Sequence, residues 1–351
     1  MEKSKKGLVL VTGVTGFLGS QIAYQLLEKG YKVRGTVRSK ANEKKLKPIR
    51  TLPHQEALEL VEADLLKAET WEPAVAGCEY VLHVASPFFT KTPKNENDLI
   101  KPAVEGTMSV LRACAKHPVK HVVVTSSVAA VMSCKDSAKK EYTEADWPVM
   151  ETIPAYNKSK TLAEKEAWKF YNSLDPKTRF KLTTINPGYI FGPSIINTDF
   201  ASGDMIRQLL TGDVLAIPKL HMPIVDVRDA ARAHILAMET DVADGQRYLC
   251  CNGDPLWLAD VSKILKEEFG KYGYKVVSRE LWHFMFKVAS LWDDQATTVL
   301  PMWNKFAIFS NDKITKELGM TFISSKEAVL KMAYSLIENG VVPDKINKVK
   351  K

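Results

Sequence analysis

The chain has 351 residues, of which 45% are apolar and 26% charged, the make-up of one large globular domain or two fused units and not of a disordered or fibrous chain. Its net charge of +8 is concentrated at the ends, MEKSKK carrying +2 and VVPDKINKVKK +3, so no nucleic-acid partner is expected. Five cysteines without CxxC spacing, no apolar leader and no run of about 18 uncharged apolar residues argue against a disulfide framework, a metal site and a membrane partner, and fit a reducing, cytoplasmic setting.

GLVLVTG (7–13) is a short apolar run rich in β-branched residues, which predicts a buried parallel strand. A helix is expected at 17–29, with Phe17, Leu18, Ile22, Leu26 and Leu27 on one side and Gly30 as its stop. YKVRGTVR, ALELVEADL, CEYVLHVAS, HVVVTSSVAAV and FKLTTINPGYIFG read as strands two to six, with helices near 97–116 and 156–173. That alternation predicts a parallel sheet covered by helices on both faces. After residue 195 the rhythm breaks. MPIVDVRDAARAHILAME suggests a short strand and a helix, with Asp226 and Asp229 capping the helix or binding Arg228 or Arg232. GQRYLCCNG suggests another strand, which places the vicinal Cys250 and Cys251 in its core. Residues 255–340 read as mostly helical, and the bulky segments LWHFMFKVASLW and LPMWNKFAIF are expected to form the core of a smaller cap, in preference to a membrane-surface helix, which Asp293 and Asp294 would interrupt.

The first strand runs into TGVTGFLG, with Gly13, Gly16 and Gly19 at three-residue spacing where a helix opens. Gly13 suits a tight turn, Gly16 lets backbone approach a pyrophosphate, and Gly19 lets helix pack on strand. The helix N-terminus offers unpaired N–H groups to the anion. At the end of strand two an NAD enzyme carries an acid for the ribose 2′-hydroxyl. Here stands RGTVRSKANEKK, with Arg34, Arg38, Lys40, Lys44 and Lys45 and one late acid, Glu43. A carboxylate repels a 2′-phosphate and Arg38 pairs with it, so the cofactor read here is NADP(H).

PAYNKSK (154–160) sets Tyr156 and Lys160 on one face of a helix. An ammonium one turn away is expected to lower the phenol's pKa and make it a usable general acid. These residues resemble the extended short-chain dehydrogenase/reductase family, over roughly residues 7–340: the glycine spacing, the YxxxK pair, and the serine of VTSSVAAV, where the family register favours Ser127 over Ser126. TVRS, HVASP, KPAVEGTMSVL, SKTLAEKEAW and VDVRDAARAHI are most similar to the dihydroflavonol 4-reductase, cinnamoyl-CoA reductase and aldehyde (methylglyoxal) reductase group. AYNKSK and FFTKTPKNEN depart from that group's pattern, which bears on the substrate and not on the chemistry.

The resemblance implies catalytic roles for Ser127 (hydrogen bond to the carbonyl oxygen), Tyr156 (proton donor) and Lys160 (tuning the phenol and holding the nicotinamide ribose). It implies that the cofactor touches Gly13, Thr15, Gly16, Phe17, Leu18 and Gly19, then Arg38 and Lys45. Asp64 and Leu65 would border the adenine, Val84, Ala85 and Ser86 run past the cofactor, and Thr125, Pro187, Gly188 and Ile190 lie near the nicotinamide. Ser86, Phe88, Val128, Tyr189 and Met222 are candidates for the substrate pocket, with Phe89 and Pro223 beside them. His83 reads as a satisfied histidine next to the cofactor loop. The expected architecture is a Rossmann-type doubly wound α/β unit at 1–195, completed by about 224–252. A mainly helical substrate cap is expected from 196–223 and 253–340, followed by a basic tail at 341–351. The expected function is NADPH-dependent reduction of a small-molecule carbonyl, by a monomer or homodimer. The rivals are an epimerase, dehydratase or hydroxysteroid dehydrogenase on the same scaffold, and a non-catalytic NADP sensor.

Overall fold

The computed structural model describes residues 6–87, 95–132, 141–196, 200–290, 292, 297 and 299–349. Its strands in chain order are β1 (Leu8–Val11), β2 (Lys32–Val37), β3 (Leu58–Glu62), β4 (Tyr80–His83), β5 (His121–Thr125), β6 (Glu141–Tyr142), β7 (Lys181–Pro187), β8 (Tyr189–Phe191), β9 (His221–Met222), β10 (Ile224–Asp226), β11 (Gln246–Cys250), β12 (Leu256–Trp257) and β13 (Ile308–Phe309). Seven of them form one sheet in the order β11-β7-β5-β4-β1-β2-β3, and every neighbouring pair in it is parallel. The fold is the expected Rossmann-type doubly wound α/β architecture.

Side-chain alternation explains why the strands read as unbroken apolar runs. Val9, Val11, Leu82, Val123 and Ile185 point into one buried cluster, while Leu10, Val81, Val122, Val124 and Leu182 point into another on the opposite face. Helices α1 (Phe17–Glu28) and α7 (Val227–Glu239) cover the first face through residues such as Ile22 and Ala230. Helices α3 (Trp71–Val75), α4 (Asn97–Cys114) and α5 (Ala155–Ser173) cover the second. The short α2 (Glu43–Arg50) follows β2. A parallel sheet needs such double cover because neither face meets water.

All six expected strands are shorter than read, and two end for a visible reason. Strand five stops at Thr125, because Ser127 accepts from the Ala129 N–H and starts a 3₁₀ turn at Val128–Ala130. Strand six breaks at Gly188, where a Cβ would stand 2.3 Å from the Pro223 carbonyl oxygen. Past that point β8 leaves the main sheet and pairs with β10.

A further apolar cluster gathers Phe191, Ile224, α6 (Ala201–Thr211), α8 (Leu258–Phe269) and a long helix at Ser325–Glu338. Before that helix come α9 (His283–Ala289) and α10 (Asp312–Leu318), so it is α11, and Ile346–Val349 is α12. Ile314 and Leu318 of α10 pack on the main sheet's cluster. The bulky segment expected to be core is only partly so. Phe286 is buried against Trp303, with ring centroids 4.9 Å apart, but Trp282 and Phe284 stand 79% and 76% exposed. A helix of seven residues offers one inward position, and Phe286 occupies it.

The four described cysteines, Cys78, Cys114, Cys250 and Cys251, are free and buried, and burial pushes the Cys251 thiol up to about 12. Among the described residues no helix is long and apolar enough to cross a membrane.

Ile22 is fully buried under α1, whereas Leu215 is 97% exposed. Ile22→Ala is expected to cost about 2–5 kcal/mol and Leu215→Ala less than about 0.5 kcal/mol, as read from denaturant midpoints.

Candidate active site

All strands of the sheet run the same way, so their carboxyl ends share one edge, and the crevice opens between β1 and β4 where connections leave for opposite faces. Thr12 closes the floor of that crevice. Its Oγ1 accepts from the Val84 and Ala85 N–H groups, both at 2.9 Å, and lies 3.0 Å from His83 Nδ1. A hydroxyl has one proton, so Thr12 donates it to Nδ1 and His83 carries its own proton on Nε2. Burial, with the Lys160 charge second, lowers the buried His83 to about 3. It is therefore a neutral, satisfied histidine, as expected.

The glycine turn is held by contact. Gly13 sits at φ +67° with its N–H donating to Thr36 Oγ1 at 3.0 Å. A Cβ at Gly19 would lie 2.4 Å from the Gly13 carbonyl oxygen, so helix α1 packs directly on the turn. Gly16 is exposed and forms the N-cap of α1, with no capping side chain and no acid in the first turn. The helix therefore presents open N–H groups to an anion over a cradle that side chains would fill. Thr15 and Phe17 flank this surface half-buried, and Leu18 sends its side chain into the core. Phe17 stacks on Phe200, centroids 4.2 Å apart.

The basic loop after β2 sorts into two kinds of residue. Arg34 is structural: it pairs with Glu59 at 2.9 Å and donates to the carbonyls of Ala74 and Ala76 at 3.0 and 2.7 Å. Arg38 is exposed and has no ion-pair partner among the described residues. Lys45 is exposed in the first turn of α2. Two acids lie near this loop: Glu43 is tied to Arg50 at 2.7 Å, and Glu62 Oε1 accepts from the Lys40 N–H at 2.6 Å.

At the end of β5 the two serines separate. Ser126 donates to the buried Glu164 carboxylate. Ser127 is left at the edge, its hydroxyl accepting from Ala129 N at 3.1 Å and bearing on the Tyr156 phenol. Thr125 turns the other way, donating to His234 Nε2 at 2.7 Å. Pro154 is the N-cap of α5, where its missing N–H costs no intrahelical bond. One turn in, Lys160 Nζ donates to Ser86 Oγ at 3.1 Å.

The expected electrostatics of this pair need correction. Tyr156 is 45% exposed, but its hydroxyl is crowded by the crevice walls. Burial raises the phenol above its ordinary value, and the hydrogen bond with Ser127 acts against it. Lys160 is lowered to about 8, again by burial first, with the Glu164 charge opposing. The crevice thus disfavours the charged form of both groups, and at the phenol burial outweighs the Ser127 hydrogen bond. Across the crevice, burial and then Tyr156 push Tyr189 up to about 12.

Other expected positions scatter. Asp64 Oδ1 accepts from Leu66 N at 3.0 Å, and Leu65 packs against Gly106. Pro187 ends β7, Gly188 makes the break, and Ile190 lies in β8. Val128 packs half-buried on a small cluster containing Phe309, whereas Met222 is fully buried in the cluster of α6 and α8. Phe88 and Phe89, like Cys134, lie outside the described residues. Asp226 caps α7 and pairs with Arg228 at 2.9 Å, whereas Asp229, inside the helix, pairs with Arg232 at 2.8 Å and accepts from the Ile323 N–H at 2.7 Å. Sequence reading missed Thr12, Glu164, Asn186 and Arg247. Glu164 was findable, since it continues the Tyr156–Lys160 spacing by one more turn.

Comparison with known proteins agrees with this geometry. The family model described as "NAD dependent epimerase/dehydratase family" matches residues 9–251. Tetraketide alpha-pyrone reductase 1 of Arabidopsis thaliana is 40% identical over 256 residues, covering 70% of this chain and 76% of the relative. Anthocyanidin reductase ((2S)-flavan-3-ol-forming) of Vitis vinifera is 35% identical over 286 residues, 76% of this chain and 82% of the relative. The crystal structure of yeast methylglyoxal/isovaleraldehyde reductase Gre2 complexed with NADPH superposes with a TM-score of 0.79 at 28% identity, covering 95% of this chain and 99% of that one.

Gly19→Ala forces a Cβ onto backbone and is expected to destabilise the chain by about 1–3 kcal/mol. At Gly270, helical and open around its Cα, Ala is expected to be neutral or stabilising by about 0.4–1 kcal/mol. Paired denaturant melts check the contrast.

Proposed function

The chain belongs to the NAD dependent epimerase/dehydratase family, and on that premise we propose that it is an NADPH-dependent reductase of an aldehyde or ketone. The observation that carries this reading is the convergence of Ser127, Tyr156 and Lys160 on the edge that also holds the glycine turn. The resemblance to named reductases, one of them complexed with NADPH, supports it.

The residues present fit the cofactor. The Gly13–Gly19 cradle and the uncapped start of α1 would hold the pyrophosphate. Arg38 is free to meet a 2′-phosphate, and Glu43, occupied by Arg50, does not oppose it. Val84, Ala85 and Ser86 run alongside, and Lys160 and Ser86 would hold the nicotinamide ribose. When bound, the reduced nicotinamide supplies the hydride.

This chain's own part is to place the carbonyl and move one proton. Ser127 donates a hydrogen bond to the carbonyl oxygen and fixes it. Tyr156, held protonated by the crevice, gives its Oη proton to that oxygen as negative charge develops, which completes the alcohol. The phenolate left behind faces the Lys160 ammonium and is reprotonated before the next turnover. Tyr189, Val128 and Ser86 stand around this point as substrate neighbours. We infer that residues 196–223 and 253–340 cap the substrate over a nucleotide unit of 1–195 and 224–252, and Met222 acts there through packing.

A panel of aldehydes, α-dicarbonyls, flavonoid ketones and steroid ketones tests the reading, followed by loss of reduced-nicotinamide absorbance. Turnover is expected with NADPH. Tyr156→Phe is expected to lower kcat by at least about 10²-fold, while NADPH binding holds. Arg38→Glu is expected to reduce the preference for NADPH over NADH by about tenfold or more. No turnover with NADPH still bound would favour an epimerase, a dehydratase or a sensor. Because Lys160 loses its proton near pH 8, kcat/KM for reduction is expected to fall as pH rises through that region.

A further inference from the structure

Glu164 lies two turns beyond Tyr156 and one beyond Lys160 on α5, and it is almost wholly buried. Five donors meet its carboxylate. Oε2 accepts from Ser126 Oγ and from Asn186 Nδ2 at 2.8 Å. Oε1 accepts from Arg247 Nε at 2.5 Å, Thr184 Oγ1 at 3.1 Å and Trp168 Nε1 at 3.3 Å. Arg247 is also buried, donates to the carbonyls of Ala130, Glu144 and Asp146, and stacks 3.7 Å from the Trp147 ring centroid. A buried ion pair of this kind contributes little to stability, since apolar residues of similar volume often replace it without loss.

Its connections lead to the reacting groups. Asn186 Nδ2, which holds Glu164, also donates to the Ser127 carbonyl at 3.1 Å. Glu164, Lys160 and Ser126 line one small cavity together with His83 and Thr107. We propose that Glu164 is a positioning residue of the reaction: through Asn186 and Ser126 it fixes the Ser127 segment, and its charge keeps Lys160 an ammonium. The inference rests on the reductase reading above and deepens it.

The titratable groups that share the cavity with Lys160 are His83 from β4 and Glu164 from its own helix; α4 presents Ala103 and Thr107, which carry no charge. His83 is neutral, so Glu164 supplies the negative charge that opposes deprotonation of Lys160. Removing it lowers the pH at which Lys160 loses its proton.

The test uses the full chain and the best carbonyl of the panel. The double variant Glu164→Gln with Arg247→Met leaves no charge unpaired. It is expected to melt cooperatively and to bind NADPH within about threefold of the parent. The alkaline fall of its kcat/KM profile is expected below the parent's, by less than about one pH unit because the Arg247 charge leaves with that of Glu164. Asn186→Ala keeps the Glu164 charge, so kcat is expected to drop about tenfold with that fall unmoved. A folded double variant whose alkaline fall coincides with the parent's overturns the inference. Should the double variant not fold, Asn186→Ala decides, and an unchanged kcat overturns it. A parent that turns over no carbonyl overturns the reductase reading and this inference together, whereas an active parent with unmoved variants overturns this inference alone.

Discussion

One hydroxyl stands where the sheet divides. β1 and β4 lie side by side, yet the chain leaves them for opposite faces, α1 toward the cluster of Ile22 and α4 toward that of Val110. The backbone N–H groups past β4 have no strand left to pair with, and unpaired they would cost about 1–3 kcal/mol each. Thr12 accepts from two of them and gives its single proton to His83. The crevice floor is therefore rigid, and both the glycine turn and the Val84–Ser86 segment hang from it.

The other supports follow the same logic of leaving no buried polar group alone. Gly13 is anchored to Thr36, and Gly19 presses α1 onto the turn. Glu164 collects donors from the residue after β5, from β7 and β11 and from α5 itself, so the helix that carries Tyr156 and Lys160 is stitched to two strands and to the end of a third. Side chains mounted on strand ends and a stitched helix hold their geometry better than side chains on loops.

Much of the fold was legible because a parallel sheet buried on both faces writes itself as apolar runs. LVLV and HVVVT are strands for that reason, and the helices at 17–29, 97–116 and 156–173 fall within three residues of those observed. The site was legible where spacing carries chemistry: the glycine triplet, and Tyr156 with Lys160. It was illegible where partners are distant in sequence. Arg247 meets Glu164 across 83 positions, and nothing local in QRYLC marks its arginine as anything but a strand residue. Exposure was misread at Trp282 and Phe284, because a bulky run does not say which side of a short helix faces in.

The opposed shifts of Tyr156 and Lys160 follow from one cause, the low dielectric of the crevice, which disfavours any single charge. Two opposite charges formed close together are another matter, because their attraction grows as the dielectric falls. On the reductase reading, the phenol keeps its proton until the substrate oxygen needs it, and the phenolate then appears beside an ammonium already in place. The crevice would thus oppose charge in the resting state and favour it as the reaction proceeds, which is the difference that accelerates a chemical step. It works only if the ammonium survives burial. On that reading a carboxylate one turn further along α5, itself balanced by Arg247, would matter more to the chemistry than its distance from the substrate suggests.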